Sequence, residues 1–155
     1  MDGAEISAIP DSVVHLGGFD GDSEVNTIYE YDPSEDSIST QSATLPTALR
    51  NATGGVIDGK FYHFGGQDDG GSNVNTIYEY DPSEDSISTQ SATLPTALRD
   101  ATGGVIDGKF YHFGGQDDGG SNVDTIYEYD PSEDSISTQS ATLPTALRQA
   151  TGGGI

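Results

Sequence analysis

A repeat of 49 residues constrains this chain more than any other feature. Residues 26–74 and 75–123 are the same sequence except for Asn51 in one and Asp100 in the other, and a third copy occupies residues 124–155. The third differs from the second at Asp124 for Asn75, Gln149 for Asp100 and Gly154 for Val105, and it covers part of the period. Upstream, Val13-Val14-His15-Leu16-Gly17-Gly18 is a diverged form of Phe61-Tyr62-His63-Phe64-Gly65-Gly66. Such a chain folds as one supersecondary unit repeated, each copy covering its neighbour. A period of about 50 residues matches propeller blades, whereas helical solenoid repeats are shorter.

The local pattern within one period is that of strands. Gly54-Gly55-Val56-Ile57 and Phe61-Tyr62-His63-Phe64 flank Asp58-Gly59, a pair suited to the positive φ angles of a two-residue hairpin. These are the expected strands A and B. Thr76-Ile77-Tyr78-Glu79-Tyr80 alternates as strand C should, and Asp81-Pro82-Ser83-Glu84-Asp85 turns the chain into Ser86-Ile87-Ser88-Thr89, strand D. With 21 Gly and 7 Pro dispersed along the chain, no segment keeps a helical period for a useful length. The expectation is an all-β protein with blades over residues 5–41, 51–90 and 100–139 and a partial strand at 149–155. Residues 5–9 would supply a diverged strand A to the first blade. A meander cannot bury both faces alone, so neighbouring blades must cover it.

Composition removes several functions. There are 26 acidic residues against five Lys plus Arg, a formal charge of -21, which excludes a phosphate-binding nucleic-acid partner and disfavours an anionic membrane surface. Acidic disordered chains lack aromatic and β-branched residues, whereas Tyr, Phe, Ile and Val recur here at fixed positions. The reading is a folded surface coated with carboxylates, as in salt-adapted proteins. Without cysteine, disulfides, thiolate nucleophiles and Cys-ligated zinc are excluded. The Met1-Asp2-Gly3-Ala4-Glu5 start has neither the basic nor the apolar region of a signal peptide, and no apolar run reaches transmembrane length, so a soluble chain is expected.

The chain resembles the Kelch family over nearly its whole length. That family's blade carries a glycine pair, then a tyrosine, then a tryptophan seven residues later. Here Gly17-Gly18 precedes Tyr31, Gly65-Gly66 precedes Tyr80 and Gly114-Gly115 precedes Tyr129, and the Tyr-Asp-Pro turn follows each tyrosine. Arg50, Arg99 and Arg148 match the family's arginine ahead of strand A. The tryptophan position holds Ile38, Ile87 and Ile136, which are expected to lie between blades with thinner packing. The resemblance implies a Kelch-type β-propeller, and propellers close with about four to eight blades. Three blades leave two open faces. Either the chain is part of a longer propeller or identical chains join, two of them making a six-bladed ring as a homodimer.

In peptide-binding Kelch domains the residues after the glycine pair and around the arginine line the pocket. By resemblance this nominates Arg50, Arg99 and Arg148 with Gln67, Asp68, Gln116 and Asp117. The positions that vary between copies, Asn51, Asp100 and Gln149, join them on the same rim. The alternative is that each arginine pairs with a nearby carboxylate and fixes its own loop. His15, His63 and His112 occupy equivalent places in strand B, so a ring would separate them too widely for one zinc, whose ligands lie within about 2 Å of the metal. The acidic loops around Asp20, Asp22, Asp68 and Asp69 lack the ordered spacing of a calcium loop. Asn51-Ala52-Thr53 is a lone glycosylation sequon. No cofactor is implied, and no nucleophile with a base breaks the repeat. The chain therefore reads as a scaffold that binds a protein or peptide without catalysis. The alternative is a fragment of a carbohydrate-active Kelch-type enzyme, such as an epimerase or an oxidase-like propeller.

The acidity itself is testable. At about 0.1 M salt the Debye length is about 10 Å, and at about 1 M it is about 3 Å, so repulsion between acidic turns is relieved by salt. The melting temperature should rise from about 0.1 M to about 1 M potassium chloride. A flat response in a calorimetric scan would remove charge repulsion as a determinant of stability.

Overall fold

In a computed structural model, which describes residues 12–155, the repeat folds into three antiparallel sheets. The first comprises β1 (Val13–Phe19), β2 (Glu24–Asp32) and β3 (Ser37–Thr44). The second holds β4 (Thr53–Ile57), β5 (Lys60–Phe64), β6 (Thr76–Asp81) and β7 (Ser86–Thr93). The third repeats this order as β8 (Thr102–Ile106), β9 (Lys109–Phe113), β10 (Thr125–Asp130) and β11 (Ser135–Thr142). Each sheet is an up-and-down meander, and there is no helix among the described residues. The strand A expected at residues 5–9 lies outside the described residues, so the first blade is described by strands B, C and D.

Turn chemistry sets the meander. Asp58 and Gly59 have φ of 50° and 79°, and Asp107 and Gly108 have 50° and 74°, the paired positive angles of a turn whose twist matches the strands it joins. In the C–D turns, the Asp81 carboxylate accepts from the Ser83 backbone N–H at 2.9 Å and from its hydroxyl at 2.6 Å, and Asp32 and Asp130 do the same. The glycine pair ends strand B. Gly65 has φ of 62°, and a Cβ there would stand 2.5 Å from the Leu98 carbonyl oxygen. Only glycine allows that approach, and Gly66 N–H then donates to the same oxygen at 2.9 Å.

Strand D is longer than expected. The sequence pattern ends at Thr89, whereas the strand runs to Thr93, because a bulge between Thr76 and Tyr78 lets β6 follow β7 from Thr89 to Thr93. Ser-Thr-Gln-Ser-Ala-Thr has no apolar alternation to announce this. The partial strand expected at residues 149–155 is not formed. Its backbone runs beside β8, where a Cβ on Gly104 would sit 2.7 Å from Gly153 and Gly154 atoms. No strand B stands on its far side within the described chain, so no ladder assigns it.

The core lies between blades. Strand alternation puts Tyr62, Phe64 and Ile77 on the face toward the third blade, which presents Phe110, Tyr127 and Tyr129 in return. Phe64 stacks on Phe110 with centroids 4.3 Å apart and meets Tyr129 edge-on at 5.4 Å, both favourable aromatic geometries. The first junction is built from Leu45 and Leu49 against Tyr78. Ile87 and Ile136 are half-buried and pack against these clusters, in keeping with the expected thin packing. Ile38 departs from the expectation: it is 67% exposed, because its face of the first blade has no described neighbour.

These environments predict unequal costs. Phe64→Ala should destabilise by about 3–5 kcal/mol through the cavity it leaves, while Ile38→Ala should stay within about 0.5 kcal/mol in dilute protein. Denaturant unfolding of the two variants checks both values, and equal losses would contradict the assigned faces.

Candidate functional site

The B–C loops and D–A connections meet on one rim, and backbone pairing makes that rim rigid. Arg50 and Gln67 exchange backbone hydrogen bonds at 3.0 and 2.8 Å across the first junction, and Arg99 and Gln116 do so at 3.1 and 2.8 Å across the second. The loops are also held from within. Asp68 accepts from the Ser72 N–H at 2.9 Å and Asp117 from the Ser121 N–H at 2.8 Å. These two carboxylates, nominated for binding, are occupied in shaping their loops. Asn73, in the same loop but outside the nominated residues, ties the loops together: its N–H donates to Asp118 at 2.7 Å and its side chain to the Gln116 carbonyl at 2.9 Å.

The nominated arginines and glutamines do come together. Arg50 Nη2 donates to Gln67 Oε1 at 3.0 Å, its Nε faces Glu24 at 3.1 Å, and its guanidinium lies 5.0 Å over the Phe19 ring. Arg99 Nη2 and Arg148 Nη1 both donate to Gln116 Oε1, each at 2.6 Å. The alternative reading gave every arginine a carboxylate. Arg50 has one, Arg99 reaches Asp100 at 3.8 Å, and Arg148 has none among the described residues. A neutral, buried amide oxygen therefore carries two guanidinium groups, leaving their remaining donors for an anion.

The variable positions have a conformational role. Asn51, Asp100 and Gln149 have φ of 58°, 56° and 54°, the left-handed region that Asn and Asp tolerate best. They form a ladder near the ends of the A strands, Asp100 N–H to the Asn51 carbonyl at 2.8 Å and Gln149 N–H to the Asp100 carbonyl at 2.7 Å. Next to them a cleft of about 290 Å3 between the first two blades is lined by His15, Leu49, Arg50, Asn51, Phe61 and His63 among others.

The opposite rim carries the tight A–B and C–D turns. There the two lysines line a cleft of about 520 Å3 between the second and third blades, with Tyr62, Glu79 and Asp130. Lys60 Nζ and the Tyr62 hydroxyl each donate to Glu79 at 2.7 Å, and Lys109 and Tyr111 repeat this on Glu128 at 2.7 and 2.9 Å. The hydrogen bond from Lys109 holds the Glu128 carboxyl below its ordinary value, and desolvation pushes the Tyr62 phenol up. The available signal was that Lys60 and Lys109 are the only lysines and each follows an Asp-Gly turn.

Residues 3–152 match the KLHDC2/KLHL20/DRC7 Kelch-repeats domain. The chain belongs to the Kelch-repeat family. Among solved structures it resembles the one titled "Structure of YjhT", with a TM-score of 0.67 and 19% identity over 83% of this chain and 51% of that one. That likeness concerns the fold, and this Kelch-repeat chain spans about half the length of that relative. No curated protein sequence matches it.

The histidines sit at equivalent registers on separate blades, opposite Tyr29, Tyr78 and Tyr127, and no group of three or more metal-ligating side chains occurs among the described residues. His63 and His112 are buried between blades, while His15 on the open face is exposed. Desolvation lowers His63 and His112 from 6.5 to about 4. Since their folded values lie below the unfolded one, their stabilising contribution is whole above pH 6.5 and is lost as pH falls toward 4. Each should remove about 1 kcal/mol between pH 7 and about 5.5, where ordinary carboxylates remain ionised. Unfolding free energies at the two pH values check this, and the loss should shrink in the His63→Phe, His112→Phe double variant.

Proposed function

We propose that this Kelch chain is a non-catalytic binding scaffold that takes a peptide carboxylate on the rim of B–C loops and D–A connections. The observation that carries the reading is the convergence of Arg99 and Arg148 on Gln116 Oε1 at 2.6 Å each. Two guanidinium groups on a neutral oxygen retain unused planar donors, and a carboxylate accepts from such a fork in bidentate fashion. Rigidity supports it further. The loops are locked by Asn73, Asp68 and Asp117, so a ligand meets groups already held in place, which lowers the ordering cost of binding.

The net charge of -21 would repel an acidic ligand at long range. Molar salt shortens that range to about 3 Å, whereas the contact hydrogen bonds act within it. The fork rather than the overall field thus decides the ligand.

A second reading, part of a carbohydrate-active propeller, draws on the cleft of about 520 Å3 on the other rim, where Lys60, Tyr62 and Glu79 form a hydrogen-bonded chain. A peptide library selected against the chain in about 1 M salt, beside a glycan array and turnover assays, separates the two. The scaffold reading expects peptides sharing an acidic or terminal carboxylate. Arg99→Ala should weaken them by about tenfold or more with the fold intact. Glycan retention or turnover with no peptide selected would overturn it.

A further inference from the structure

The internal junctions show what the two outer faces lack. In the first, Asp85 accepts from the Ser42 and Ala43 N–H groups at 2.8 and 3.2 Å, and in the second Asp134 accepts from Ser91 and Ala92 at 2.7 and 3.2 Å. Tyr78 meets Thr47 at 3.4 Å, and Tyr127 meets Thr96 at 3.3 Å. The outer faces carry the separated halves of this set. The first blade offers Asp36 and Tyr29, and the third offers the Ser140 and Ala141 backbone and Thr145. Asp36 is engaged by Tyr31 at 2.9 Å, as Asp85 is by Tyr80 at 3.3 Å, so its second role is the vacant one.

The apolar halves follow the same rule. Ile57 is 3% exposed at a junction and its copy Ile106 is 47% exposed; Leu98 is 1% and its copy Leu147 47%. On the other outer face Tyr29 is 36% exposed where Tyr78 is 4%. The two surfaces are complementary to one another and not to themselves, so the contact they specify is head to tail.

The strand inventory completes the match. Among the described residues β1 pairs with β2 alone, whereas β5 also takes β4 on its other edge, Thr53 opposite Phe64 and Gly54 opposite His63. Residues 149–155, Gln-Ala-Thr-Gly-Gly-Gly-Ile, copy the segment that forms β4 and already run beside β8.

We propose that a second copy of this chain seats its first blade on the outer face of the third, and that residues 149–155 of one copy become strand A of the other. The register follows from the second blade: Thr151 stands opposite Leu16, Gly152 opposite His15, Gly153 opposite Val14 and Gly154 opposite Val13. Asp36 of the incoming copy accepts from Ser140 and Ala141, and its Asn51 N–H extends the ladder to the Gln149 carbonyl. The Asp118 contact to Asn73 has no counterpart, because the first B–C loop is one residue shorter and holds Gly21 there. Reciprocal docking, the third blade of each copy taking the first blade of the other, makes a ring of two copies. This inference rests on the junctions and is independent of the ligand read for the rim.

Multi-angle light scattering across a dilution series in about 1 M potassium chloride, where charge repulsion is screened, tests it on three chains. The parent should show a mass of two chains that dissociates on dilution. Asp36→Asn should raise the dissociation constant by about tenfold or more without altering the circular dichroism of the single chain, since Asn tolerates the left-handed φ of 48° at this position and Asp36 bonds to Tyr31 alone among the described residues. The chain ending at Arg148 should be a single chain throughout. A parent that stays a single chain at every concentration would overturn the proposal, as would a mass of three or more. A dimer that survives loss of residues 149–155 would overturn the strand addition.

Discussion

The structure depends on one constraint: a blade has two faces, and only another blade can cover them. Individually the sheets are thin. The second is four strands of five to eight residues, too little to enclose a core of its own, so the apolar side chains of β5 and β6 are divided between two neighbours. Toward one lie Tyr62, Phe64 and Ile77, and toward the other Tyr78 and Tyr80, all of them buried. The same constraint explains why near-identical residues meet different fates. Leu98 and Leu147 are one residue repeated, yet the first is 1% exposed and the second 47%. Sequence identity specifies the contact, and position in the series decides whether it is made.

Polar groups make the junction specific as well as apolar. The same aspartate that ends each C–D turn in the left-handed region, Asp85 with φ of 45° and Asp134 with φ of 45°, also accepts two backbone N–H groups from the preceding blade. Those N–H groups belong to strand D, the outermost of its sheet, whose edge would otherwise be exposed to pairing with any strand. A carboxylate turned onto that edge blocks such pairing and fixes the angle between blades. Part of the acidity of this chain is thus structural and local, which composition alone does not reveal.

Most of the fold was legible because the repeat forced a choice among few architectures, and the turns confirmed their own chemistry: Asp58-Gly59 closes a hairpin as read. Strand D was read short because its second half, Gln90 to Thr93, has neither apolar alternation nor β-branched runs and continues through a bulge. Ile38 was placed between blades from the family pattern, but burial depends on a neighbour that its blade does not have among the described residues. On the rim, the family resemblance nominated side chains that the fold brings together, but not their partners. Arg99 and Gln116 are nominated by resemblance, yet that Gln116 would take two guanidinium groups, and that Asp68 and Asp117 would be spent on their own loops, follows from loop geometry fixed by Asn73. The lysine cleft was missed because a lysine after a tight turn reads as a solvated charge.

Residue-resolved hydrogen exchange, followed as the chain is diluted, tests most directly the claim that blades are stabilised by mutual cover. The account predicts that amides of β5 and β6, covered on both faces within one chain, keep their protection at every dilution, while the copies of those amides in β1, β2, β9 and β10 lose protection as the protein is diluted. If the middle blade exchanges as fast as the outer ones once the chains are separate, cover by neighbours is not what holds the fold together.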